Sequence, residues 1–237
     1  IAEDNVTKIE ILKNIITQKN ITILEGQNIE IALNGKQINA YVGKEFINNN
    51  GTLKITNGVS EEQKGKITNM NTVIINNGKL DTEVDIKNND IYSAVIYYGS
   101  NLPNNYEPYK TTITNNGQLT VNGGIIETEG TGVAIRNKNE LIINDGIINA
   151  LKVENNKGSY CISNKGNATC TINGGTLYCN GGSYNPVTCI RNFDNATIKM
   201  NGGSIIGAAP AIYNQSSRLS EDGINEPAVY ITGGTIN

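Results

Sequence analysis

Four cysteines, at positions 161, 170, 179 and 189, are the side chains of this 237-residue sequence best suited to covalent or metal chemistry. Histidine is absent. That removes imidazole bases and ligands, and with them the Ser-His-Asp and Cys-His hydrolases and most catalytic zinc sites. Cys161-Ile-Ser-Asn164 and Cys189-Ile-Arg-Asn192 are equivalent segments 28 residues apart. Stacked as neighbouring strands, they would bring the Cys161 and Cys189 Cα atoms to about 4.8 Å, within disulfide reach. The plainer reading is a set of buried thiols acting as small hydrophobes. Cys170 replaces a core Leu or Ile, and Cys179 falls where Ala150 or Thr128 fall in other segments. Without a Cys-x-x-Cys pair or a histidine, the spacing argues against a metal at the thiols.

Three carboxylates, Asp81, Glu83 and Asp85, alternate with Leu80, Thr82, Val84 and Ile86. On one strand they would line its outer face, as hard oxygen ligands able to hold Ca²⁺ or as a solvated surface. Tyr92, Tyr97, Tyr98, Tyr106 and Tyr109 crowd one stretch. Tyrosine offers an apolar face and a hydroxyl, suited to stacking on sugars, to contact with a protein, or to packing a loop onto its own scaffold. Arg136 and Arg191 occupy equivalent positions with Ser163 between them. They read as surface arginines, as partners for acidic sugars, or as the base of a lyase-type mechanism, which would need carboxylate ligands that this column does not offer. A formal net charge of −3 with no basic cluster points away from nucleic acid. No apolar run approaches the ~20 residues of a membrane span.

What would hold these residues in place is a repeat. Asn, Ile and Gly number 39, 36 and 26. A pattern of Ile, any residue, Asn, two alternating apolar residues and then Gly recurs seven times. It runs Ile47-Asn49-Leu53-Ile55-Gly58, then Ile67-Asn69-Val73-Ile75-Gly78, then Ile113-Asn115-Leu119-Val121-Gly124. It continues at Ile135-Asn137, Ile162-Asn164, Ile190-Asn192 and Ile212-Asn214, with glycines 146, 175, 203 and 234. Alternation places every second side chain on one face of a strand, and short strands broken by Asn and Gly turns bury that face by stacking coil on coil. The expectation is an all-β, right-handed parallel β-helix of about eight or nine coils, with Ile ladders inside and an Asn ladder at a bend. Leucine-rich repeats need more Leu, and propeller blades need a longer period.

Departures from the period predict loops near 99–110 and 215–228. The strand-like Ile91–Tyr97 predicts an additional coil within the long interval from Asn69 to Asn115. Residues 1–20 read either as an N-terminal cap, with Val6, Ile9, Leu12 and Ile16 on a helical stripe, or as first strands; residues 21–237 read as one β-helix domain. A start without Met and an end directly after a repeat signature suggest a piece of a longer protein.

The stretches Asn20–Ile23, Ile29-Glu-Ile-Ala-Leu-Asn-Gly-Lys-Gln-Ile38 and Asn50–Gly58, with Asn-Gly-Gly-Thr-Leu at 173–177 and Thr-Gly-Gly-Thr-Ile at 232–236, resemble pectate-lyase-like, adhesin-type surface proteins of Gram-positive bacteria. The resemblance spans most of the chain from about residue 20. It implies a right-handed β-helix, an extracellular or wall-associated location, and adhesion to glycans or proteins by a noncatalytic module or stalk. The same family includes polysaccharide lyases that use Ca²⁺, and glycoside hydrolases; seven Asp and no His fit the hydrolase pattern poorly.

Overall fold

The computed structural model describes residues 6–58, 63–88, 110–129, 132–151, 159–179, 188–207, 210–215, 217–220 and 223–237. Its strands wind into a parallel β-helix with three faces. Each coil contributes one strand to each face in turn, as Thr52–Thr56, Lys66–Asn69 and Ile74–Asn76 do. Among the described residues nine coils are present, the last without a third-face strand. The two 12-residue strands Gln118–Glu129 and Glu140–Leu151 run over both the first and second faces. They join those faces into one sixteen-stranded sheet, while the third face is a separate eight-stranded sheet.

Parallel sheets ordinarily need cover on both sides. Here the three faces cover one another inwardly, so strands such as Thr169–Ile172 and Thr176–Cys179 alternate inward buried with outward positions. Side chains stack in register from coil to coil. The third face aligns Ile47, Ile74, Ile113, Ile135, Ile162 and Ile190, and the second aligns Ile67, Ile86, Ile126, Ile148 and Leu177. All eleven are fully buried. At roughly 1.5–3 kcal/mol for each branched aliphatic removed from water, these columns supply the main driving force.

The corners carry the turn chemistry. Between the first and second faces Gly124, Gly146, Gly175, Gly203 and Gly234 adopt positive φ, the region that disfavours a Cβ. Between the third and first faces Gly51, Gly78 and Gly117 stack so closely that a Cβ on Gly78 would strike the Gly51 carbonyl oxygen. Just before that corner lies the Asn ladder. Asn49, Asn76, Asn115, Asn137, Asn164 and Asn192 each pass an Nδ2–H to the Oδ1 of the next, over 2.7–2.8 Å, ending at Asn214.

Two sequence expectations change. Asn69 is not on the ladder: it ends a second-face strand, and its amide donates to the Lys44 and Thr72 carbonyls. The ladder position belongs to Asn76, because Ile74–Asn76 pairs with both Ile47–Asn49 and the strand of Asn115. No additional coil fits between them, since Ile113 pairs directly with Ile74. Residues 89–109, including Ile91–Tyr97 and most of the loop expected near 99–110, lie outside the described residues. At the N-terminus, of the two alternatives for residues 1–20, the structure shows strands, Thr7–Glu10 and Ile15–Thr17, which pair in parallel with the second coil. Ladder hydrogen bonds to an existing sheet edge outweigh the weak helix preference of this β-branched stretch. The insertion around 215–228 contains a short antiparallel pair, Ser217–Ser220 with Gly223–Asn225.

The ladder makes a quantitative demand. In Asn137→Ala the Asn164 Oδ1 loses its amide donor and the Thr169 carbonyl loses its side-chain partner. Stability should fall by about 2–4 kcal/mol. Asn116→Ala, on an exposed ladder with Asn77, should cost under about 1 kcal/mol. Comparing the urea midpoints of the two variants checks this, and equal shifts would contradict the ladder's role.

Candidate functional site

The corner between the second and third faces gathers the reactive side chains. There the second-face strand Thr176–Cys179 ends and the third-face strand Ile190–Phe193 begins. The third-face column places Arg136, Ser163, Arg191 and Tyr213 side by side on successive coils, as the sequence spacing predicts. Thr68, which follows Ile67 of the sequence repeat as Arg136 follows Ile135, lies instead on the second face opposite Asn39 and Lys87.

Arg191 is held rather than loosely solvated. Its guanidinium carbon lies 4.8 Å from the ring centre of Tyr160 and 4.4 Å from that of Phe193. Nη1 donates to the Tyr160 hydroxyl at 3.3 Å. Tyr213 meets Phe193 edge-on, with ring centres 6.5 Å apart at 74°. Among the described residues no carboxylate forms an ion pair with Arg191. Cation–π contacts of this kind contribute about 0.5–1 kcal/mol each at exposed sites, enough to order the side chain. The repeat pattern does not single out Tyr160 and Phe193 as its partners. A signal existed: Phe193 is two residues from Arg191, on the same side of the strand, and Tyr160 opens the strand of the coil before.

On the inner side of the same corner three thiols converge. Cys161 and Cys189 are equivalent positions on adjoining coils, as the pairing of Ile162 with Ile190 fixes. Cys179 reaches them across the corner, and the three Sγ atoms all lie within 4.8 Å of one another. The Sγ atoms of Cys161 and Cys179 are 3.3 Å apart. All four cysteines are free and buried; Cys170 stands apart on the first face between Leu141 and Ile198. Burial pushes the Cys170 thiol up to about 12, and chiefly burial holds Cys161 well above the ordinary thiol range. Cys189 is drawn the other way, lowered first by a hydrogen bond from Cys161 and then by one from Cys179.

The three acidic residues do not share one strand. The chain turns between Lys79–Thr82 and Asp85–Asn88, so Asp81 faces outward from the first face and Asp85 from the second. Each has its own partner: Lys79 is 3.9 Å from Asp81, the Asn57 amide donates to Glu83, and the Ile125 amide donates to Asp85. Among the described residues the cysteine trio is the one group of three or more Cys, Asp or Glu side chains placed to share an ion. Tyr92, Tyr97, Tyr98, Tyr106 and Tyr109 lie outside the described residues.

Fold and corner together define a three-faced parallel β-solenoid with an aromatic-braced arginine on its surface. No protein-family model, no curated protein and no solved structure matches the chain.

Burial of the thiols sets a chemical expectation, because a thiol shut from solvent is inert whatever its acidity. In the native chain none of the four cysteines should react within minutes with an aromatic disulfide reagent. After unfolding without reductant all four should. A count of two would mean a bridge.

Proposed function

We propose that the chain is a noncatalytic surface module of the pectate-lyase-like, adhesin-type kind, extracellular or wall-associated, which binds an acidic glycan through its third face. The observation that carries this reading is Arg191, braced between Tyr160 and Phe193 with no acidic partner among the described residues. A guanidinium ordered before binding loses little rotamer freedom when a carboxylate docks, and its N–H fork matches that group in two-point fashion. The exposed ring of Tyr213 beside it adds a face for stacking on a sugar. Arg136, two coils below in the same column, extends the row of donors along the rod. A rod with repeated outward positions suits a polymeric partner, since successive coils present equivalent positions every ~4.8 Å.

The test is binding to oligosaccharides of uronic acids, read by calorimetry and by glycan array. Arg191→Ala should weaken binding about tenfold or more, in line with loss of a desolvated charge-assisted contact. Arg191→Lys should recover only part, because an ammonium neither forks nor stacks as a guanidinium does. Binding unchanged by Arg191→Ala would end this reading. Appearance of unsaturated uronate products with Ca²⁺ present would replace it with the lyase alternative.

A further inference from the structure

The buried thiol trio has no task in glycan binding, and the inference from it stands independently of that reading. Cys161, Cys179 and Cys189 bring three sulfurs from two adjoining coils within 4.8 Å of one another. Three sulfurs around one ion at a metal–sulfur distance of ~2.3 Å would be spaced about 4 Å apart, so small side-chain adjustments suffice. The donor set is soft throughout. Among the described residues no fourth ligand joins the three: the chain has no histidine and Cys170 lies on another face. Residues 180–187, which join Cys179 to Cys189, contain no Cys, Asp or Glu. Structural zinc takes four ligands, and catalytic zinc adds water to three. This pocket is closed: Cys161 and Cys189 are fully buried and Cys179 nearly so.

Two features of the surroundings bear on this corner. The carbonyl oxygens of Ile148 and Tyr178 approach the Cys161 sulfur at 3.1 and 3.3 Å, and that of Ile206 approaches Cys189 at 3.4 Å. As thiols, Cys161 and Cys189 donate S–H to these carbonyls, and those bonds are given up when the sulfurs take a metal. The same columns hold Ala134, Ala150, Gly207 and Ala211 in neighbouring coils. Small residues above and below leave the sulfurs as the bulk of that corner.

We propose that Cys161, Cys179 and Cys189 form a three-coordinate, all-sulfur site for a monovalent soft metal ion, of which Cu(I) best meets the donor set. Binding exchanges thiol protons for the ion, the protons pass to solvent, and copper keeps its oxidation state throughout. The ion would join the sixth coil, which carries Cys161, to the seventh, which carries Cys179 and Cys189.

The experiment is anaerobic titration of the reduced chain with Cu(I) against bathocuproine disulfonate, with X-ray absorption at the copper edge. The expected result is one retained equivalent with a shell of three sulfurs. Cys161→Ala, Cys179→Ala and Cys189→Ala should each lose at least about tenfold in apparent affinity, because even groups outside a ligand shell cost 10–100-fold when removed. Cys170→Val should bind as the parent does. Alanine already stands at 134, 150 and 211 in these columns, so the variants should keep the fold, checked by circular dichroism. A variant whose spectrum departs from the parent is replaced by serine at that position. Failure to retain copper against the chelator, equal retention in all four variants, or a nitrogen and oxygen shell would overturn the site. So would a thiol count of two in chain isolated and unfolded without reductant, since a disulfide would then occupy the corner.

Discussion

A side-chain amide carries two donors and one carbonyl acceptor, and the buried asparagines use both sides of it from coil to coil. One Nδ2–H of Asn115 reaches the Asn137 Oδ1 and the other reaches the Glu140 carbonyl, both at 2.8 Å. Asn76 and Asn137 do the same one coil earlier and one coil later. Each net bond contributes only about 1 kcal/mol, but an amide left unpaired in this interior would cost more than that. The ladder therefore selects register more than it adds stability. A slip by one residue would turn the asparagines outward and the adjoining isoleucine columns with them. Ile columns supply the attraction, and asparagine decides which residue faces which.

That division leaves the outside of the rod free. The interior is occupied by aliphatic columns whose shape cannot vary much, since native packing tolerates few voids. Loop lengths vary at the corner between the second and third faces, where the chain carries its largest insertion between Asn88 and Lys110. The same corner holds the braced arginine outside and the thiols inside. Positions that tolerate change in length also escape the demand for Ile and Asn. Chemistry collects where the repeat is loosest.

How much of this could be read from the residues differs by layer. The glycines expected to end each repeat have the positive φ that makes glycine necessary, apart from Gly78. Gly78 failed for the reason Asn69 failed: both second- and third-face strands of that coil present Ile, one residue, then Asn. The decisive signal was the tripeptide Asn-Asn-Gly at 49–51, 76–78 and 115–117, each followed two residues later by Leu. It marks the corner between the third and first faces, and it singles out Asn76. The column of Arg136, Ser163 and Arg191 was legible because it depends only on register. The cysteine trio was not, because Cys179 joins Cys161 across a corner. Spacing along a column carries no information about which columns meet at an edge.

The inter-strand hydrogen bonds of a β-helix run along its axis, and this bears on how the molecule would respond to force. Tension applied to the two ends of the rod peels one coil from the stack, loading the bonds of that coil and no others. A coil of some 25 residues releases roughly 80 Å of extended chain as it leaves, so the rod would lengthen in steps rather than snap. Corner bonds between adjoining coils would set the height of each step. A metal held by Cys161 below and by Cys179 and Cys189 above would be a rivet at one defined step, turning a uniform zipper into one with a stop.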